Sequence, residues 1–94
     1  MLEDAAIARD AINRLLTLLA KSGVTPEEIL GVANAIQIKD GARLSSHAEI
    51  DEARVDAWLA ICRLADAVRT GAPDIDDKWQ NAIALIWAWR RRAG

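Results

Sequence analysis

The chain has no phenylalanine or tyrosine, a single cysteine, a single histidine and only two prolines among its 94 residues. Each scarcity excludes something. With Cys62 alone there can be no disulfide within the chain and no cysteine-based zinc site, and a reducing compartment is the simpler home. His47 has only Glu49 and Asp51 nearby in sequence, and Glu49 is better explained as a helix-capping partner, so neither a metal nor a catalytic role is expected there. The glycines at 23, 31, 41, 71 and 94 are isolated, which removes a phosphate-binding loop. No Ser/His/Asp order or paired-carboxylate signature can be drawn, so the expectation is a non-enzyme without cofactor or metal. No apolar run approaches the roughly 18 residues that a membrane span requires. No stretch alternates with the strand period, so sheet is not expected.

Charge of either sign is also in short supply as an excess. Twelve Lys plus Arg against fourteen Asp plus Glu leave a net charge of -2 and a pI near 5.3, so no global field draws polyanions and nucleic acid would need a local basic patch. The chain opens on the acids Glu3 and Asp4 with no basic flank before them, which leads to the expectation of a cytoplasmic protein.

What the chain does have is alanine, leucine and isoleucine at helical spacing, with 52% hydrophobic and 28% charged residues, the balance of an ordinary globular domain. The pattern predicts an all-α, compact four-helix domain, residues 1–94 forming one unit, with helices at about 2–21, 26–38, 47–70 and 75–92. Thr25-Pro26-Glu27-Glu28 spells a helix start: a capping hydroxyl, a proline where its missing N–H costs nothing, and a glutamate three residues after the cap. Ser46 with Glu49 repeats the signature for the third helix. Gly23, Asp40-Gly41, and Gly71 with Pro73 mark stops. Asp74, Asp76 and Asp77 open the fourth helix and Arg90, Arg91 and Arg92 close it, signs that match the helix dipole at both ends.

Advancing about 100° per residue puts Ile50, Ala57, Ile61, Leu64 and Val68 in one core sector of the third helix, with Trp58 and Ala65 on its flank. Leu59 falls in the middle of the opposite, polar side, with Val55 and Cys62 beside it. In the fourth helix Trp79, Ile83 and Ile86 define the core face, while Trp87 and Trp89 project about 160° apart. They cannot share one narrow stripe. Either the core wraps far around this helix or one ring is exposed, and an exposed tryptophan is a favoured interface residue.

Two segments carry features of nucleic-acid binding. Leu15 to Val32 has the spacing of a helix-turn-helix, with Leu19, Gly23, Val24, Ile29 and Val32 at the expected intervals. Ser22 stands where that motif packs an apolar side chain, however, Glu27 and Glu28 would face phosphates, and only Asn34 and Gln37 could read bases. Arg90, Arg91 and Arg92 beside Trp87 and Trp89 could stack bases, but arginines in a last helical turn are accounted for by the free carbonyls there.

The sequence therefore points to a non-enzymatic interaction protein of regulator or inhibitor type, acting as a homodimer or by docking on a larger protein partner. The expected contact residues are Val55, Leu59, Cys62, Trp87, Trp89, Arg90 and Arg91. The alternative is a helix-turn-helix-like DNA-binding regulator.

Overall fold

A computed structural model of the chain describes residues 2–36 and 48–93. They form four helices and no strand: α1 (Leu2–Ala20), α2 (Pro26–Ile36), α3 (Ala48–Thr70) and α4 (Ile75–Ala93). The sequence bounds hold to within a residue or so at the starts of α1, α2 and α4 and at the end of α3. Gln37, Ile38, the expected Asp40-Gly41 stop, the expected cap Ser46 and His47 lie outside the described residues.

Local chemistry sets the boundaries. After α1 the chain turns through Gly23 at φ 74°, a left-handed conformation that costs a Cβ-bearing residue about 1 kcal/mol. The next helix then opens on the predicted capping box. The Thr25 hydroxyl accepts the Glu28 backbone N–H at 3.2 Å, and the Glu28 carboxylate accepts the Thr25 backbone N–H at 3.2 Å. At the other long turn, Gly71 sits at φ 67°, the Ala72 N–H reaches the Ala67 carbonyl at 3.0 Å, and the Gly71 N–H reaches the Val68 carbonyl at 3.4 Å. Those two bonds satisfy carbonyls that the helix end would otherwise leave bare.

The helices pack as a ring. Among the described residues α1 lies against α2 and α4, α3 lies against α2 and α4, and the backbones of the diagonal pairs stay apart. Buried side chains from all four helices make one cluster. The radius of gyration is 12.7 Å, close to the roughly 12 Å of a close-packed chain of this length.

Each helix contributes a stripe spaced alternately three and four residues apart. In α3 it is Ile50, Ala53, Ala57, Ala60, Leu64 and Ala67; in α4 it is Trp79, Ala82, Ile86, Trp89 and Ala93. This is the spacing of helices that run side by side at a shallow angle. Alanine is the commonest buried residue among those described, which lets backbones approach closely while Trp79, Trp89 and the isoleucines fill the remaining space. Of the sector expected in α3, Ile50, Ala57, Ile61 and Leu64 are buried, as is Ala65 on its flank; Val68 is only half-buried, and Ala53, Ala60 and Ala67 widen the inward face. Trp58 is half-buried against the core and Trp79 is buried, as their positions predict.

Candidate interaction surface

The two tryptophans of α4 part company in the fold. Trp89 is fully buried and Trp87 is 40% exposed. The reason lies in the alanines. Ala82 and Ala93 belong to the inward stripe, and counting them turns the core face away from Ile83, which is half-buried, and toward Trp89. Trp89 is therefore a core residue, which corrects its place among the expected contact residues. Trp87 remains on the surface, where the Arg90 guanidinium lies over its ring at 5.1 Å from the centroid, within cation–π range. Arg90 is half-buried and its Nε is covered without a hydrogen-bond partner among the described residues, while Arg91 is exposed.

On α3 the outward apolar patch is present. Leu59 is 38% exposed, and Val55 and Cys62 are half-buried. Leu59 and Cys62 line a groove of about 440 Å³ with Arg63, Asp66 and, from α4, Lys78. A smaller hollow of about 170 Å³ joins Cys62 to Pro26 and Leu30 of α2. Leu30 is 40% exposed and extends the patch across two helices. The sequence reading missed it, although its place 100° round from Ile29, the buried anchor of α2, was available. Partial burial pushes the Cys62 thiol above its ordinary pKa, so it is a poor nucleophile and packs as a small apolar side chain.

The expected contact residues do not form one surface. Lys78 marks the side of α4 that faces the α3 groove. Trp87 is nine residues further along, which is about 180° round the helix. Trp87, Arg90 and Arg91 thus sit away from Leu59 and Cys62, and the molecule carries two separate candidate surfaces.

A third hollow, about 470 Å³, opens between α1 and α2 along Asn13, Thr17, Leu18, Gly31 and Val32. Its rim holds Glu28, whose carboxylate accepts the Lys21 ammonium at 2.6 Å as well as the Thr25 cap. Lys21 first, and the Thr25 N–H after it, hold the Glu28 carboxyl below the usual carboxylate range. This corner is the segment with helix-turn-helix spacing. Glu27 is exposed at the start of α2, Asn34 is exposed later on it, and Gln37 lies outside the described residues.

Arg54 was not singled out by the sequence reading. It is 2% exposed, the one buried charged side chain among the described residues. Its Nε donates to Asp51 at 3.1 Å and its Nη1 donates to the Ile36 carbonyl at 2.8 Å, so an arginine of α3 satisfies the last described carbonyl of α2. Nη2 finds no partner among the described residues. Its angle gave a signal, within about 40° of Ile50 and Ile61 inside the apolar sector of the helix wheel, which its charge masked.

Among the described residues no three of His, Cys, Asp and Glu stand together as a metal site. No described helix is long and apolar enough to cross a membrane. Comparison with protein-family models, curated proteins and solved structures finds no match.

Proposed function

We propose that this all-α four-helix protein is a non-enzymatic interaction module of regulator or inhibitor type, working in the cytoplasm and binding a protein surface, its own copy or a larger partner. One observation carries the reading. Among the described residues the four helices share one buried core, yet Leu16, Leu19, Leu30, Leu59 and Trp87 stay 38–47% exposed on its outside. Apolar side chains clustered beside charged rims are the composition of contact surfaces, and Trp and Arg are the residues most often decisive there. The Leu30–Leu59–Cys62 patch suits an apolar ridge of a partner, and Arg63 and Asp66 at its edge would set register. The acidic, internally paired start of α2 favours the protein-binding reading over a DNA-binding one.

The test places a photo-crosslinking residue at position 59 in cells and identifies adducts by mass spectrometry, with light scattering of the purified chain beside it. A defined protein adduct, or a dimer, that is lost on introducing Leu30→Asp while folding is unchanged supports the reading. A purified monomer that yields only diffuse, variant-insensitive adducts refutes it.

A further inference from the structure

We infer that the outer face of α4 is a twofold, antiparallel pairing surface for a second copy of this chain. The inference rests on the interaction-protein reading and specifies one surface and one occupant for it.

The outer face is organised about the helix midpoint. Ala84 is central in α4 (Ile75–Ala93) and exposed. It points about 180° away from the mean direction of the buried stripe Trp79, Ala82, Ile86, Trp89 and Ala93. Seven residues before it stands Asp77 and seven after it Arg91, both exposed and both within about 20° of the same line. Neither makes an ion pair within the chain among the described residues; the pairs that do form use other partners, such as Lys78 with Asp74. The face thus reads acid, small residue, base, with the charges about 21 Å apart along the axis.

That pattern is complementary to itself in one orientation. A second α4 laid antiparallel across a twofold axis at Ala84 places Asp77 of each copy opposite Arg91 of the other, twice, and opposes the two helix dipoles favourably. The alanines meet at the axis, where the absence of a larger side chain allows close approach. Trp87 of one copy then falls beside Gln80 of the other, with the Arg90 guanidinium already covering the ring's remaining face. A parallel pairing would instead bring Asp77 against Asp77 and Arg91 against Arg91. The dipole explains why acids open and bases close α4, but not why one of each shares the line through the exposed midpoint. The apolar content is modest, so the dimer is a weak, salt-sensitive one.

Sedimentation equilibrium and native mass spectrometry of the full chain test this with two charge reversals. Asp77→Arg sets Arg against Arg across both symmetric contacts, and Arg91→Asp sets Asp against Asp. Each variant alone should dimerise about tenfold more weakly than the parent. An equimolar mixture of the two restores both opposite-charge contacts, and should form the heterodimer at parental strength or better. Helical circular dichroism of each variant confirms folding, since both sites are exposed. Recovery in the mixture together with loss in each single variant supports the α4 surface. A dimer indifferent to both reversals but lost in Leu59→Asp overturns it and leaves the wider interaction reading standing. A chain that stays monomeric at about 1 mM overturns it too, and then only docking on a different protein remains of that reading.

Discussion

Trp87 and Trp89 are two residues apart on one helix, yet one is 40% exposed and the other fully buried. The difference shows how little of a side chain's fate is its own chemistry. Both are the same residue and both adjoin Ala88; what separates them is which sides of α4 are covered by α1 and α3. The inner face is a stripe of Trp79, Ala82, Ile86, Trp89 and Ala93 shaped for other helices of the same chain. The outer face, Asp77 to Arg91 through Ala84, is exposed throughout apart from half-buried Ala88. Inner-face residues should govern folding and outer-face residues association.

The largest expected effect breaks or confirms that division directly. Trp89→Ala empties a large volume in the closed core and should destabilise the fold by about 3–5 kcal/mol, a large part of what a domain this small possesses. Trp87→Ala should cost less than about 1 kcal/mol, mostly the lost contact with Arg90, while weakening self-association. Urea unfolding followed by circular dichroism measures both. Comparable losses in the two variants would end the contrast.

A second contrast runs between arginines. Arg91 is exposed at the end of α4, whereas Arg54 is buried and holds Asp51 and the Ile36 carbonyl. Arg54→Ala leaves both acceptors without their donor and should cost about 2–4 kcal/mol by urea unfolding. Arg54→Met keeps the packing of the stem and should cost less than the alanine variant. Arg91→Ala should leave monomer stability within about 0.5 kcal/mol. If Arg54→Ala were equally silent, the guanidinium would have no role in joining α2 to α3.

These contrasts also show what the sequence can and cannot display. Helices, the stops at Gly23 and Gly71 and the Thr25–Glu28 box were legible because they depend on neighbours within a turn, and the outward position of Leu59 because it interrupts a run of polar side chains. The inner stripe of α4 was harder. A wheel weighted by apolar size ranks Ile83 above Ala82, but close helix packing selects the small residue, and that turned the core toward Trp89. Arg54 was hidden by its charge, since its angle on the wheel was right and only its chemistry argued for the surface. Leu30 was hidden because its exposure depends on how α2 meets α3, which no single helix reports.

Backbone effects at the turns should be smaller and similar to each other. Thr25→Ala removes the hydroxyl that accepts the Glu28 N–H and should cost about 1 kcal/mol. Gly71→Ala adds a Cβ that meets nothing within 4 Å, so only the φ of 67° resists it, and the cost should again be about 1 kcal/mol by thermal or urea unfolding. A much larger loss at Gly71 would mean that the turn is coupled to the packing of α3 on α4.

The smallest effect separates the α1–α2 corner from the rest by pH. The Glu28 carboxyl has its pKa lowered by Lys21 and Thr25, so the folded state binds a proton there less readily than the unfolded chain does. A lowered folded value means that the contribution is present above the carboxyl's unfolded value, near 4.5, and is lost as pH falls through the folded one. The pair is exposed, so the amount is small and screened by salt. Comparing unfolding of the parent and Glu28→Gln between pH 7 and pH 3 isolates it: the parent's advantage should shrink toward the acid end, and should shrink again when salt is raised at pH 7. An advantage that persists unchanged to pH 3 would assign the role of Glu28 to hydrogen bonding that glutamine cannot mimic, not to its charge.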